Sequence, residues 1–254
     1  MSGRINVLGV GVSPINMSMA LDQLGRWIAQ GDREYVSVCN VHSVMESYRD
    51  PRLRKIVNAA GMTTPDGMPL VWLARLSGQR HVSRVYGPDL MLAELQSSIA
   101  TGHTHYFYGG RPGVADRLAA AMRARFPGVR IAGTFTPPMG TAEELCNLAA
   151  ASIINAAGAE IVWVGVNSPK QEFWMACMRP LLQAPVLIGV GAAFDFHSGT
   201  VAQAPRWMQR AGLEWLFRLL TEPRRLWRRY LVDNPWFLFE LGLQKLGLKR
   251  FELD

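Results

Sequence analysis

Cysteine is scarce here: Cys39, Cys146 and Cys177 are the only three among 254 residues. Their spacing matches neither a metal site nor a disulfide framework, so reduced thiols and a cytosolic setting are expected. No run of eighteen uncharged apolar residues occurs, which excludes a typical membrane-spanning helix. The best candidate, residues 231–248, is interrupted by Asp233, Glu240 and Lys245 and reads as an amphipathic helix. Gly9, Gly11, Ser13, Pro14 and Asn16 break the first apolar run too early for a secretory signal. There is no Asp-x-Asp pair to hold a divalent metal on a sugar nucleotide. A Walker loop and a Gly-x-Ser-x-Gly elbow are also missing. His42, His81, His103, His105 and His197 show no metal-ligand spacing, although His103 and His105 would share one side of a strand. No metal site is expected. Internal repeats and low-complexity segments are lacking as well.

What is present is a well-filled chain, 49% hydrophobic and 19% charged, as in a globular protein. Its net charge of +7 is concentrated. Between Pro205 and Tyr230 seven arginines face only Glu214 and Glu222, a local excess of +5. Trp207, Trp215, Phe217, Trp227 and Tyr230 are interleaved with them. Arginine forks suit phosphate or pyrophosphate, and interleaved aromatics suit a membrane surface. The same block could instead bind nucleic acid, but Leu213, Leu216, Phe217 and Leu220 between the arginines favour packing or lipid.

Short apolar runs at 5–8, 35–39, 105–108, 130–133, 161–165 and 186–189 read as strands. Amphipathic stretches at 16–30, 43–60, 68–76, 88–101, 113–126, 142–157 and 169–178 read as helices. Wholly apolar strands alternating with helices predict an α/β, Rossmann-like fold, with a mostly parallel sheet covered by helices on both faces. From about Asp195 the strand pattern stops. The division expected is a catalytic core over 1–198 and a basic, aromatic helical appendage over 199–254, broken by Pro205, Pro223 and Pro235.

Glycine-bearing turns follow several strands: Gly9-Val10-Gly11, Gly109 to Gly113, Gly165 to Pro169 and Gly189-Val190-Gly191. Parallel sheets bind ligands at such edges, and backbone N–H groups there suit phosphates. The first turn is a poor dinucleotide fingerprint, because Pro14 holds its third glycine position. Asp66, after a strand end, is either a helix N-cap in an Asp-Gly turn or a general base in a cleft. Glu172 in a first helical turn matches the helix dipole, whereas Gln171 beside it has no such structural use. Arg84 either holds a phosphate or pairs with Asp89.

Taken in order, Asn40-Val41-His42, Pro65-Asp66-Gly67-Met68-Pro69, Arg84-Val85-x-Gly87-x-Asp89-Leu90, Tyr108-Gly109-Gly110, Ser168-Pro169-Lys170-Gln171-Glu172, Gly189 to Phe196 and the block from Gly212 to Tyr230 resemble the WecG/TagA/CpsF glycosyltransferase family. The resemblance implies an inverting transfer from a UDP-sugar to a polyprenyl-pyrophosphate-linked sugar, on the cytoplasmic face of the plasma membrane. Asp66 matches the family's base, Gln171 its active-site glutamine, and Arg218, Arg225 and Arg228 the appendage arginines. Asn40, Arg84, Gly110, Gly191 and Asp195 fall in the same motifs, Asn167 immediately precedes one of them, and all six are assigned to substrate binding. No cofactor is implied, and no metal is strictly required. The partners implied are the two substrates and an anionic membrane surface, not nucleic acid. An uncovered apolar helix face would favour a homo-oligomer. Val38 stands where the family often has Thr. The wording Asn-Val-His-Ser resembles exopolysaccharide members, so glucosyl transfer is the expected reaction, with N-acetylmannosaminyl transfer as the alternative.

Overall fold

The computed structural model describes residues 3–253. In chain order the elements are β1 (Ile5–Val7), β2 (Val10–Val12), α1 (Met17–Gln30), β3 (Glu34–Cys39), α2 (Val41–Arg49), α3 (Pro51–Ala59), β4 (Met62–Pro65), α4 (Met68–Leu76), α5 (Gly87–Thr101), β5 (Thr104–Gly109), α6 (Val114–Arg125), β6 (Arg130–Phe135), α7 (Ala142–Leu145), α8 (Leu148–Ala156), β7 (Ile161–Gly165), α9 (Lys170–Met178), β8 (Val186–Gly189), α10 (Ala193–His197), α11 (Arg206–Arg210), α12 (Glu214–Thr221), α13 (Pro223–Arg228) and α14 (Asn234–Lys245). A π-helical turn, Arg229–Asp233, joins α13 to α14.

Six strands form one sheet in the order β4-β3-β8-β7-β5-β6, and every neighbouring pair is parallel. This is the α/β, Rossmann-like architecture expected. Alternation along β7 shows how two cores arise from one apolar run. Ile161 and Trp163 face the cluster built with α1, α5 and α6. Val162 and Val164 face the cluster built with α8 and α9. β4, at the sheet edge, is the strand whose end precedes Asp66; its half-polar Met-Thr-Thr-Pro sequence keeps it out of the apolar runs.

Four expectations are corrected. The run at 5–8 is not in the parallel sheet: Leu8 (φ 51°) and Gly9 (φ 86°) form a two-residue turn that pairs β1 with β2 antiparallel. The glycines there face Asn58, which donates to the Gly9 carbonyl and accepts from Gly11 N–H, not a ligand crevice. The helix over 43–60 breaks at Asp50, whose carboxylate caps α3 ahead of Pro51. Cys146 and Cys177 are joined by a disulfide that ties the α7–α8 junction to α9, leaving only Cys39 free. The two cysteines are 31 positions apart in sequence, so their meeting is tertiary and leaves no spacing signature.

From Ala193 onward the described chain forms helices joined by turns and no strand. Its last helix rests on the β1–β2 hairpin and α2. Phe237 is buried among Val7, Leu8, Val44 and Met45. Asn6 donates to the Phe251 carbonyl at 2.6 Å. Tyr48 and Lys249 both donate to Glu240, at 2.9 Å each. The hairpin is thus the platform on which the chain's C-terminal part is fastened.

Gly109 ends β5 with φ 127°, and a β-carbon there would lie 2.6 Å from the Gly165 carbonyl carbon. Main chain cannot yield as a side-chain tip can. Gly109→Ala should therefore destabilise the fold by roughly 2–4 kcal/mol, read from urea unfolding. A loss below about 0.5 kcal/mol would contradict the close approach of β5 and β7.

Candidate active site

The C-terminal edges of β4, β3, β8, β7 and β5 carry Asp66, Asn40, Gly191, Asn167 and Gly110, respectively, in the turns that follow. This edge is where parallel sheets bind ligands. A cleft of about 340 Å³ opens there, lined by Asn40, Asp66, Asn167, Gln171 and Gly191 from the sheet side and by Arg218, Arg225 and Arg229 from the appendage. Towards β5 it continues into a recess of about 750 Å³ lined by Gly110, Lys170, Asp195, Arg218 and Arg225. Towards α4 it meets a smaller recess of about 140 Å³ with Met68, Arg84, Trp215, Arg229 and Tyr230 on its wall. Asp66 borders both the central cleft and this smaller recess.

Asp66 is only 7% exposed. Its Oδ1 accepts from Gly87 N–H at 3.1 Å and its Oδ2 from Asn40 Nδ2 at 3.2 Å. It is not the cap of α4, which is Gly67, without a side-chain bond; its carboxylate instead meets the first N–H of α5. The turn reading of Asp66 is therefore corrected. Burial pushes its carboxyl above the ordinary range, while the Arg84 guanidinium pulls the other way. The group is oriented by two donors but not neutralised by a direct ion pair, as a general base requires.

Arg84 does not pair with Asp89. It donates to Glu214 at 2.7 Å and to the main-chain carbonyl of Asp66, and lies over the Tyr86 ring. Asp89 pairs instead with Arg206 at 2.9 Å. Arg84 is thus a strut between the appendage and the loop carrying Asp66. Gln171 is buried against Gly189, where a β-carbon would lie 2.9 Å from its Nε2. Nε2 donates to Glu172 at 3.0 Å, and Oε1 has no partner. Glu172 is also buried, with Oε2 unpaired, and burial pushes its carboxyl up. Asp195 lies beside Arg111, at 3.7 Å, on the larger recess.

The expected arginine trio is not brought together. Arg218 and Arg225 line the central cleft and the larger recess. Arg228 is exposed, over the Trp227 ring, and lines an outer crevice shared with Arg225, Arg229 and Asp233 but neither the central cleft nor the larger recess. Its neighbour Arg229 turns inward and donates to Asn40 Oδ1 at 3.3 Å. A single helical phase from 218 to 228 fails because Glu222 leaves the helical region (φ −134°) before Pro223. The wider π turn then begins at Arg229. Nothing in the Arg228-Arg229 pair itself distinguishes the two.

Among the described residues one group has metal-ligating types close together: His42, Glu46 and Asp233. Arg49 pairs with both carboxylates, so a guanidinium already supplies the positive charge there. His103 and His105 do not form a site. His103 meets Glu94 and His105 meets Ser98 and Trp163, all in the interior, where burial lowers His105 to about 3.

Residues 5–251 match the Glycosyl transferase WecG/TagA/CpsF family. The chain belongs to this glycosyltransferase family. Over 205 residues it is 31% identical to the N-acetylglucosaminyldiphosphoundecaprenol N-acetyl-beta-D-mannosaminyltransferase of Bacillus spizizenii, across 81% of this chain and 77% of that protein. In a glycosyltransferase, a carboxylate beside an arginine-lined cleft has a direct chemical use. The carboxylate can take a proton from an attacking hydroxyl, and the guanidinium groups can meet charge developing on a leaving phosphate. No described helix is long and apolar enough to cross a membrane.

Proposed function

We propose that this glycosyltransferase moves an N-acetylhexosamine of the N-acetylmannosamine type from a UDP-sugar to a polyprenyl-pyrophosphate-linked sugar, in one inverting displacement. The observation that carries the reading is Asp66, held by two donors between a small recess and a cleft lined by Arg218, Arg225 and Arg229. Asp66 takes the proton of the acceptor hydroxyl as its oxygen bonds to the anomeric carbon. The bond from that carbon to the UDP oxygen breaks on the opposite face, and UDP leaves. Arg218 and Arg225, facing the larger recess, meet the charge on the leaving diphosphate, so no metal is required for that task. The donor sugar follows the relative's name and not the glucosyl expectation. Val38, Pro88 and Val190 give the central cleft an apolar wall suited to an acetamido methyl group.

The lipid tail of such an acceptor calls for a membrane surface. The appendage exposes Trp227, Leu231, Val232, Trp236, Leu238 and Phe239, with Arg224 and Arg228 nearby in sequence. Apolar side chains with basic neighbours suit peripheral docking on an anionic leaflet, at the cytoplasmic face where nucleotide sugars are available.

The test is UDP release from a panel of UDP-sugars on anionic vesicles carrying polyprenyl-pyrophosphoryl N-acetylglucosamine. Acceptor-dependent release from UDP-N-acetylmannosamine is expected. Release from UDP-glucose alone would return the donor to the glucosyl reading. No release from any donor, with tight oligonucleotide binding, would sink the enzymatic reading.

A further inference from the structure

Two appendage side chains reach Asp66 without touching its carboxylate. Glu214 accepts from Arg84 Nη2 at 2.7 Å and from the Tyr86 hydroxyl at 2.6 Å. Arg84 donates through Nε to the Asp66 carbonyl. From the other side, Arg229 donates to Asn40 Oδ1 at 3.3 Å. Asn40 Nδ2 donates to Asp66 Oδ2 at 3.2 Å. The amide of Asn40 has a fixed sense, because Oδ1 also accepts from His42 and Ser43 N–H at the start of α2. Only its NH₂ is left to face Asp66.

We propose that Glu214 and Arg229 are positioning residues that hold Asp66 in its working orientation. The inference rests on Asp66 being the base under the proposed function. Both residues lie in the block from Gly212 to Tyr230 without an assigned role there, and each acts through a core side chain, Arg84 or Asn40.

The two relays differ in sign, which makes them testable. The titratable and charged groups around Asp66 are Cys39 from β3, Arg84 and Tyr86 from the approach to α5, and Glu214 and Arg229 from the appendage. His42 from α2 and Arg218 and Arg225 from the appendage line the same cleft. Arg84 and Arg229 favour the carboxylate, and Glu214 disfavours it. In the full-length enzyme on acceptor vesicles, Arg229→Gln should move the acid limb of kcat/KM up by about half to one pH unit. Glu214→Gln should move it down. Both should lower kcat by about 10- to 100-fold, as expected for a misplaced catalytic group. Arg229→Lys, which keeps the charge, should hold the limb near its normal position despite a lower rate. If the appendage merely covers the site, all three variants admit water and their limbs fall together. A common fall, or no movement in Arg229→Gln, would overturn the proposal. Failure of the proposed function itself would look different: the wild type would show no acceptor-dependent UDP release at any pH.

Discussion

Asp66→Asn should lower turnover by about 10²–10⁴-fold, the range expected when a general base is removed. The substitution keeps the shape of the side chain but removes its ability to take a proton. The local cost is specific. Asp66 accepts from both Gly87 N–H and Asn40 Nδ2, and an asparagine amide can accept from only one of them. The other donor then faces an NH₂ group, a mismatch of about 1–3 kcal/mol. Removing a buried carboxylate offsets part of that cost, since burial already disfavours its charge. The fold should therefore persist, with UDP affinity little changed. Steady-state turnover together with UDP binding separates these effects. Near-normal turnover would show that the proton goes elsewhere, and Glu172 would be the next carboxylate to examine.

The second large effect is expected from ending the chain after residue 198. That removes Arg218, Arg225 and Arg229 from the cleft and Glu214 from Arg84. Loss of one donor at a developing oxyanion costs about 10²–10³-fold. Losing several guanidinium groups and the struts on Asp66 should take the core below about a thousandth of full activity. The same cut uncovers Val7, Leu8, Val44 and Met45 where Phe237 packs, so lower stability and self-association are expected as well. Turnover and sedimentation of the shortened chain check both statements. A core with full activity would show that the appendage serves only to attach the enzyme.

Both effects depend on how much of the site local sequence could reveal. Asp66, Asn40, Gln171 and Asn167 were legible because each follows a strand or opens a helix at the edge where parallel sheets place ligands. Position relative to a strand end is a local property. The partners of these side chains are not local. Arg84 has Asp89 five residues away in sequence but meets Glu214 at a separation of 130 residues. Cys146 and Cys177 likewise meet only because α9 packs beside the α7–α8 junction.

By itself, the sequence determined the period of each element, and with it the parallel α/β sheet, the edge that carries the polar motifs and the basic helical segment after the last strand. Apolar runs, proline and glycine act within a few residues, so these features can be read along the chain. Only the tertiary structure decided that β1 and β2 leave the sheet to seat the C-terminal helix and that β4 joins it. It also decided that Arg229, not Arg228, enters the cleft. The phase of a helix beyond Glu222 and the π turn depends on what the appendage packs against. That choice is made by burial of Tyr230 and Phe237 against distant parts of the chain, which no local spacing records.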